Sequence, residues 1–453
     1  MSNRPRIMIA ATGSGSGKTT VTCALLKALR KQKIKAVSFK CGPDYIDPMF
    51  HREVLGTPSR NLDLFMLGEN TCKHLLYQNS QETDLSVIEG VMGFYDGIGK
   101  GWQGSSYELS EKTKTPVVLV VSCSGMGFSV VPLIKGYLEL EKNNIQGVIL
   151  NHTSKMMYEY YKSMIEEHLP IKAMGYLPNL PECNLESRHL GLITAKEVEA
   201  LEEKMDRLGE VACETLDIQG IMALGQQSQP LSFESPEIEP VGTSIRVGIA
   251  KDRAFSFYYQ DNLELLEKLG IELVPFSPML DPELPENLDG LLLGGGYPEV
   301  YAQELASNQT MKKSIHKAIS GGLPCHAECG GFMYLQQKLT TLEGKSYEMV
   351  GYLPGEAAMT KGLQRFGYIT LRANEDTMLA KAGDMIQAHE FHYSDSTANG
   401  KSFEAIKPLS TKTWECMMAT TSMVAGYPHI HFYSNITFAE NFAKKCLDFK
   451  NTK

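Results

Sequence analysis

Two stretches of the chain carry residues whose types and spacing could do chemistry. In "GLPCHAECGGFMYL", Cys325 and Cys329 stand four apart with His326 and Glu328 between them, and Gly330 and Gly331 follow at once. The segment reads as a short strand, a sharp turn at Cys329 and a helix, which is the geometry of a nucleophile elbow. A thiol on such a turn is presented at a helix N-terminus, which favours the thiolate, and a neighbouring base can activate it. Cys329 is therefore the expected nucleophile. Cys325, inside the strand, reads as core, and His326 as a packing residue. No second cysteine pair is spaced to complete a zinc site.

The base has to come from elsewhere. "GYPHIHFYSN" offers His429 and His431 with period-two spacing, which an extended segment would place on one face. A rival pair, His389 and His392 in "AHEFHYS", is not separated from it by spacing. The loop "LLLGGGYPE" ends a strand, so the backbone N–H groups of Gly295 and Gly296, with that of Gly330, could form an oxyanion hole.

The second stretch, "ATGSGSGKTT", follows the strand-like "RIMIAAT" and precedes the helical "VTCALLKALRKQ". Gly13, Gly15, Ser16 and Gly17 would let backbone N–H groups turn toward an anion at the helix N-terminus. Lys18 adds a mobile charge, Thr19 a hydroxyl for Mg²⁺, and Thr20 continues the loop into the helix. Thr12 stands where the strict phosphate-loop spacing has its first glycine. A nucleoside triphosphate is the expected ligand. Acidic residues recur at later strand ends: Asp44 and Asp47 in "KCGPDYIDPMFH", Glu89 and Asp96 in "VIEGVMGFYDG". Glu89 closes an apolar strand, where a Mg²⁺-holding carboxylate belongs in such a sheet.

These residues need a scaffold that lines up strand ends. Runs such as "KAVSFK", "LSVIEG", "PVVLVVSC" and "QGVILNHT" have the continuous apolar character of buried parallel strands, and helical segments separate them. The pattern lapses in the proline-bearing "ALGQQSQPLSFESPEIEPVGTS" and resumes with "IRVGIAKD". Two doubly wound α/β domains follow: 1–222, a linker at 223–244, and 245–453. A chain of 453 residues is long enough for two cores.

The net charge of −9 argues against a nucleic-acid partner, which needs a basic face. There is no secretory leader pattern and no apolar run long enough to span a bilayer, so a cytoplasmic protein without a membrane partner is expected. The ten cysteines are scattered, which favours reduced thiols.

Taken together, "LPCHAECGGFMYL", "LLLGGGYPE" and "HIHF" resemble the triad-type (class I) glutamine amidotransferase domain of the cobyrinate and cobyric acid synthase family. "GSGSGKTT", "KCGPDYIDP" and "IEGVMGFYDG" resemble its dethiobiotin-synthetase-like P-loop domain, and "SRHLGL" and "HEFHYS" also fit. The ending is closest to the branch that makes a,c-diamides. The resemblance implies Cys329 as glutaminase nucleophile, His429 as base and His431 as its orienting partner, standing where related amidotransferases have a glutamate. It also implies ATP·Mg²⁺ at Lys18, Thr19 and Glu89, with Asp44 as a further metal contact, and Asn151 reading adenine. Asp47, Tyr45 and Asp96 would line the carboxylate-activation site, with Lys40, Arg188 and His189 as a basic lining. The implied substrates are L-glutamine and a tetrapyrrole polycarboxylate. The implied reaction is amidation of the a- and c-acetates of cobyrinic acid, and a homodimer is a further expectation. Ni-sirohydrochlorin a,c-diamide synthesis, in coenzyme F430 formation, would use the same chemistry. A partitioning-type ATPase switch is the reading from another class; it would carry an extra lysine early in the loop, where Ala11 and Thr12 stand.

Overall fold

The computed structural model describes residues 4–183 and 195–453, and it divides into two compact units between Ser235 and Pro236. The division falls within the stretch read as a linker. The first residues of that stretch, 223–226, instead complete a helix, Ile218–Gln226, whose N-terminus is capped by the Asp217 carboxylate accepting from the Gly220 amide.

The first unit is built on seven parallel strands: β1 (Arg6–Ala11), β2 (Ala36–Cys41), β3 (Ser59–Leu62), β4 (Leu85–Glu89), β5 (Val117–Ser122), β6 (Ile145–Asn151) and β7 (Lys172–Leu177). Their order across the sheet is β3-β2-β4-β1-β5-β6-β7. β1 and β4 are buried along their whole length, as expected of mainly apolar strands covered on both faces. Helix α1 (Lys18–Lys31) leaves the end of β1 and buries Val21, Ala24, Leu25 and Leu29 against the sheet. The chain runs from β1 out to β2 and β3, returns to place β4 beside β1, and then winds outward on the other side through β5, β6 and β7, so the topological switch point lies at β1 and β4. Register matters here. Glu89 at the end of β4 is paired with Lys40 of β2 on one side and with Ile9 of β1 on the other.

The second unit has a parallel core of β8 (Ile245–Ala250), β9 (Ile271–Phe276), β10 (Gly290–Leu293) and β11 (Cys325–Glu328), extended by the strands Met423–Gly426 and Met418–Ala419. Only the outermost of these pairs antiparallel. This is the expected α/β layer. Two further sheets are added from residue 338 onward, a small mixed one and a larger antiparallel one that contains Arg365–Ala373, Met385–His392 and the two-residue strand His429–Ile430. That short strand ties the "HIHF" segment to "AHEFHYS".

Candidate active site

In the first unit the phosphate loop lies between β1 and α1, as the sequence requires. Gly15 and Gly17 have φ of +79° and +88°, so glycine is needed at both. At Gly17 space is the tighter limit, since a Cβ there would lie 1.9 Å from Asn151 Nδ2. Asn151, at the end of β6, donates from Nδ2 to the Ser16 carbonyl at 3.0 Å. Its amide thus holds the loop from beneath. A Cβ on Gly13 would meet nothing within 4 Å, Ser16 Oγ is 3.3 Å from Thr12 Oγ1, and Thr20 lies half-buried in the first turn of α1.

The register of the sheet gathers a charge network at the loop. Thr19 donates its hydroxyl to Glu89 Oε1 at 2.6 Å. Lys40 Nζ lies 2.8 Å from the same oxygen and 2.6 Å from Asp47 Oδ2. His51 Nε2 is 3.4 Å from Glu89 Oε2, while its Nδ1 is 3.0 Å from Ser38 Oγ. Burial alone would push the Glu89 carboxyl up, but Lys40, His51 and Lys18 outweigh it and hold it well below the usual range. Burial lowers Lys18, whose ammonium reaches the Met92 carbonyl at 3.4 Å. Burial and the Asp47 carboxylate together raise Asp44, whose Oδ1 accepts from the Ile46 amide at 2.8 Å. Tyr45 begins the helix Ile46–Glu53 that carries Asp47 and His51.

One expectation changes. Lys40 was read as a basic residue lining the substrate; its ammonium is instead buried between two carboxylates. Asp96 is exposed, and its Oδ2 accepts from the Gly93 amide at 2.8 Å, shaping the loop that packs over Gly13. Sequence reading passed over His51, which is fully buried in a segment that reads as an ordinary amphipathic helix. Arg188 and His189 lie outside the described residues. Thr19 and Glu89 present the hard oxygen donors that suit Mg²⁺ beside a phosphate, whereas no cluster of three or more metal-ligating side chains occurs among the described residues.

In the second unit Cys329 stands between β11 and the helix Gly330–Leu335 with φ +47° and ψ −101°, a strained conformation for a non-glycine residue. Strain of this kind at the expected elbow is what holds a side chain clear of both flanking elements. His429 is hydrogen-bonded to the Cys329 side chain. Burial would lower its pKa, but Cys329 and Glu328 outweigh that and raise it to about 10. The imidazole beside Cys329 is thus held in its protonated form. Gly295, Gly296 and Gly330 meet at the same point: a Cβ on Gly330 would be 3.1 Å from the Gly296 nitrogen, and one on Gly295 2.6 Å from His429 Cε1.

The expected partner of His429 is elsewhere. The strand ends at Ile430 and the chain turns into a 3₁₀ helix at Phe432, so the His431 ring stacks on Tyr259 with centroids 4.8 Å apart. Both its ring nitrogens are buried without a hydrogen-bond partner, and burial pushes it down to about 3. The carboxylate beside His429 is that of Glu328, with Oε2 at 3.5 Å from Nδ1. Of the rival histidines, His389 is the register partner of His429, and His392 stacks on Tyr427. Both stand behind His429 and neither replaces it.

Two family models match the chain: a CobQ/CobB/MinD/ParA nucleotide binding domain over residues 7–193 and a CobB/CobQ-like glutamine amidotransferase domain over residues 246–436. A cobyrinate a,c-diamide synthase of Caldanaerobacter subterraneus subsp. tengcongensis is 42% identical over 446 residues, covering 98% of this chain and 98% of that protein. The chain belongs to this synthase family. Relatives of the same name from Clostridium tetani and Thermoplasma volcanium are 39% and 37% identical, over 97% and 99% of this chain and 99% of each relative. Members of the family thus share both units, and the two sites described above fall one in each matched domain. No helix among the described residues is long and apolar enough to cross a membrane.

Proposed function

We propose that the chain is a cobyrinate a,c-diamide synthase, a ligase that amidates the a- and c-acetate carboxylates of cobyrinic acid with ATP and glutamine. The observation that carries this is the pairing, in one chain, of a Cys329–His429 couple at a strained elbow with a phosphate loop facing Glu89. Each half of that pairing answers one chemical difficulty. A carboxylate resists attack because it is negatively charged and resonance-stabilised. Transfer of the ATP γ-phosphoryl group to one of its oxygens gives an acyl phosphate, which ammonia attacks with loss of phosphate.

The loop amides, Lys18 and the N-terminus of α1 bind the phosphates. Thr19 and Glu89 would hold Mg²⁺, which shields phosphate charge when bound. Lys40 keeps Glu89 ionised and pairs with Asp47. Free ammonia is mostly protonated near neutral pH, and the second site supplies it in reactive form. The Cys329 thiolate attacks the glutamine amide carbon, His429 protonates the leaving nitrogen, and water then cleaves the thioester to glutamate. The Gly296 and Gly330 amides stabilise the oxyanion.

The test is mass spectrometry of products made by the purified chain with Mg·ATP and glutamine, offered cobyrinic acid and Ni-sirohydrochlorin in parallel. Two acid-to-amide conversions on cobyrinic acid alone are expected. Conversion of the nickel compound alone would keep the mechanism and replace the substrate. Amidation of neither would overturn the reading. Cys329→Ala should abolish glutamine use and leave amidation driven by added ammonium intact.

A further inference from the structure

We propose that Glu328 is the positioning residue of the glutaminase site, the carboxylate that fixes the His429 ring against Cys329. The proposal rests on the glutaminase reading above and adds a group to it.

The geometry starts from β11. His326 and Glu328 alternate with Ala327, so their side chains share one face of the strand, and both are buried. Glu328 Oε1 receives two donors: His326 Nε2 at 3.0 Å and the backbone amide of Ile430 at 3.1 Å. Oε2 lies 3.5 Å from His429 Nδ1. One carboxylate therefore grips His429 twice, through the ring and through the peptide immediately after it. The grip is itself braced. Since Nε2 of His326 donates to Glu328, Nδ1 is left as a buried acceptor without a partner. One unpartnered ring nitrogen is a modest cost for orienting the carboxylate.

His431 cannot supply the same service. Its ring is stacked on Tyr259 and its nitrogens make no hydrogen bond. The carboxylate beside the base therefore stands immediately before the nucleophile and not two residues after the base.

The electrostatics agree with the geometry. Burial would raise the Glu328 carboxyl, but the hydrogen bonds from His326 and His429 and their charges hold it at about 2. It stays ionised across the neutral range. In the first step the Cys329 sulfur–carbon bond forms, the His429 proton passes to the amide nitrogen, and the carbon–nitrogen bond breaks. Glu328 takes no proton; it keeps the imidazolium in place and favours its charge.

The experiment uses the full chain with Glu328→Gln, which preserves volume and one acceptor oxygen for the Ile430 amide but presents no second acceptor to His429. Three readouts separate positioning from bulk structure: the pH profile of Cys329 alkylation by iodoacetamide, followed by peptide mass spectrometry; glutaminase kcat and KM; and amidation driven by ammonium. We expect the alkylation profile to move to higher pH. Glutaminase kcat should fall on the order of 100-fold or more with KM within a few-fold, and ammonium-driven amidation should hold. His431→Gln should leave the profile in place. His326→Ala, which removes one brace and spares the carboxylate, should move it the same way by less, and it carries the test if Glu328→Gln does not fold. An unmoved profile in the Glu328 or His326 variant, or one that moves in His431→Gln instead, overturns the proposal. Retained glutamine use in Cys329→Ala would overturn the glutaminase reading beneath it, a separate result.

Discussion

The imidazole of His392 lies on the phenol of Tyr427 with ring centroids 3.9 Å apart and planes within 7° of parallel. Its Nδ1 donates to the Ser394 carbonyl at 2.7 Å, and burial pushes its pKa down to about 4, so the ring is neutral in the working range. Tyr427 is two residues before His429, and this stack braces the approach to the base. His392→Ala should cost about 2–3 kcal/mol and lower glutaminase activity several-fold. His392→Phe keeps the stack and strands only the Ser394 carbonyl, so it should lose less. Urea unfolding followed by Trp414 fluorescence measures this, and equal losses in the two variants would count against a bracing stack.

Under the proposed function Glu89 serves phosphoryl transfer and not ammonia production. Glu89→Gln should reduce both glutamine- and ammonium-driven amidation on the order of 100-fold while glutaminase turnover stays within a few-fold. Parallel assays of glutamate release and amide formation read the two steps separately. A proportional loss of both would mean that the charge network supports the whole chain.

Lys40 is held between Glu89 and Asp47, so removing it leaves two buried carboxylates without their cation. Lys40→Met should destabilise the first unit by about 3–5 kcal/mol. The double variant Lys40→Met/Glu89→Gln should recover part of that loss, since one of the orphaned charges is gone. Additive losses in the urea midpoints of the cycle would argue that Lys40 and Glu89 are not coupled.

At the phosphate loop the side chain of Asn151 occupies the space a Cβ at Gly17 would need. Gly17→Ala should therefore abolish nucleotide binding, and adding Asn151→Ala should restore only a part. The clash is relieved, but a φ of +88° still disfavours alanine and the bond to Ser16 is lost. Calorimetric titration with Mg·ATP is the check; full recovery in the double variant would show that space alone matters.

Stability should depend on pH through the glutaminase site. His429 is raised from 6.5 to about 10, so its contribution is complete below pH 6.5 and is lost as pH climbs through about 10. Glu328 is depressed from 4.5 to about 2, so its contribution is present above pH 4.5 and is lost as pH falls through about 2. Thermal melts of the native chain and Cys329→Ala, taken from pH 6 to 10, should converge toward the alkaline end, because the variant lacks the group that raises His429. Parallel curves would contradict the coupling.

Much of the site was legible because its signals are local. A phosphate loop needs its glycines, lysine and threonine in one short run after a strand, and "ECGG" announces both a thiol and the small residues a sharp turn demands. Glu328 was present in that same quoted segment, yet its role depends on an amide 102 positions later in the chain, which no local pattern reports. The one signal was the period-two spacing of His326 and Glu328. His431 misled for the same reason: alternation predicts a shared face only while the strand continues, and it ends at Ile430. His51 and Lys40 acquired their partners from the register of neighbouring strands. The linker began too early because "ALGQ" closes an amphipathic helix whose polar end looks like loop composition.

That register carries a practical lesson for redesign. Lys40 and Glu89 face each other because β2 and β4 are hydrogen-bonded neighbours within a packed sheet, so their pairing is specified by the same residues that specify the core. The segments at 93–95 and 97–103 are connections outside the sheet and the charge network. An engineer seeking a different carboxylate substrate could rewrite those connections while leaving the Lys40–Glu89 pair in place. A change in the strands would forfeit the charge network and the fold together.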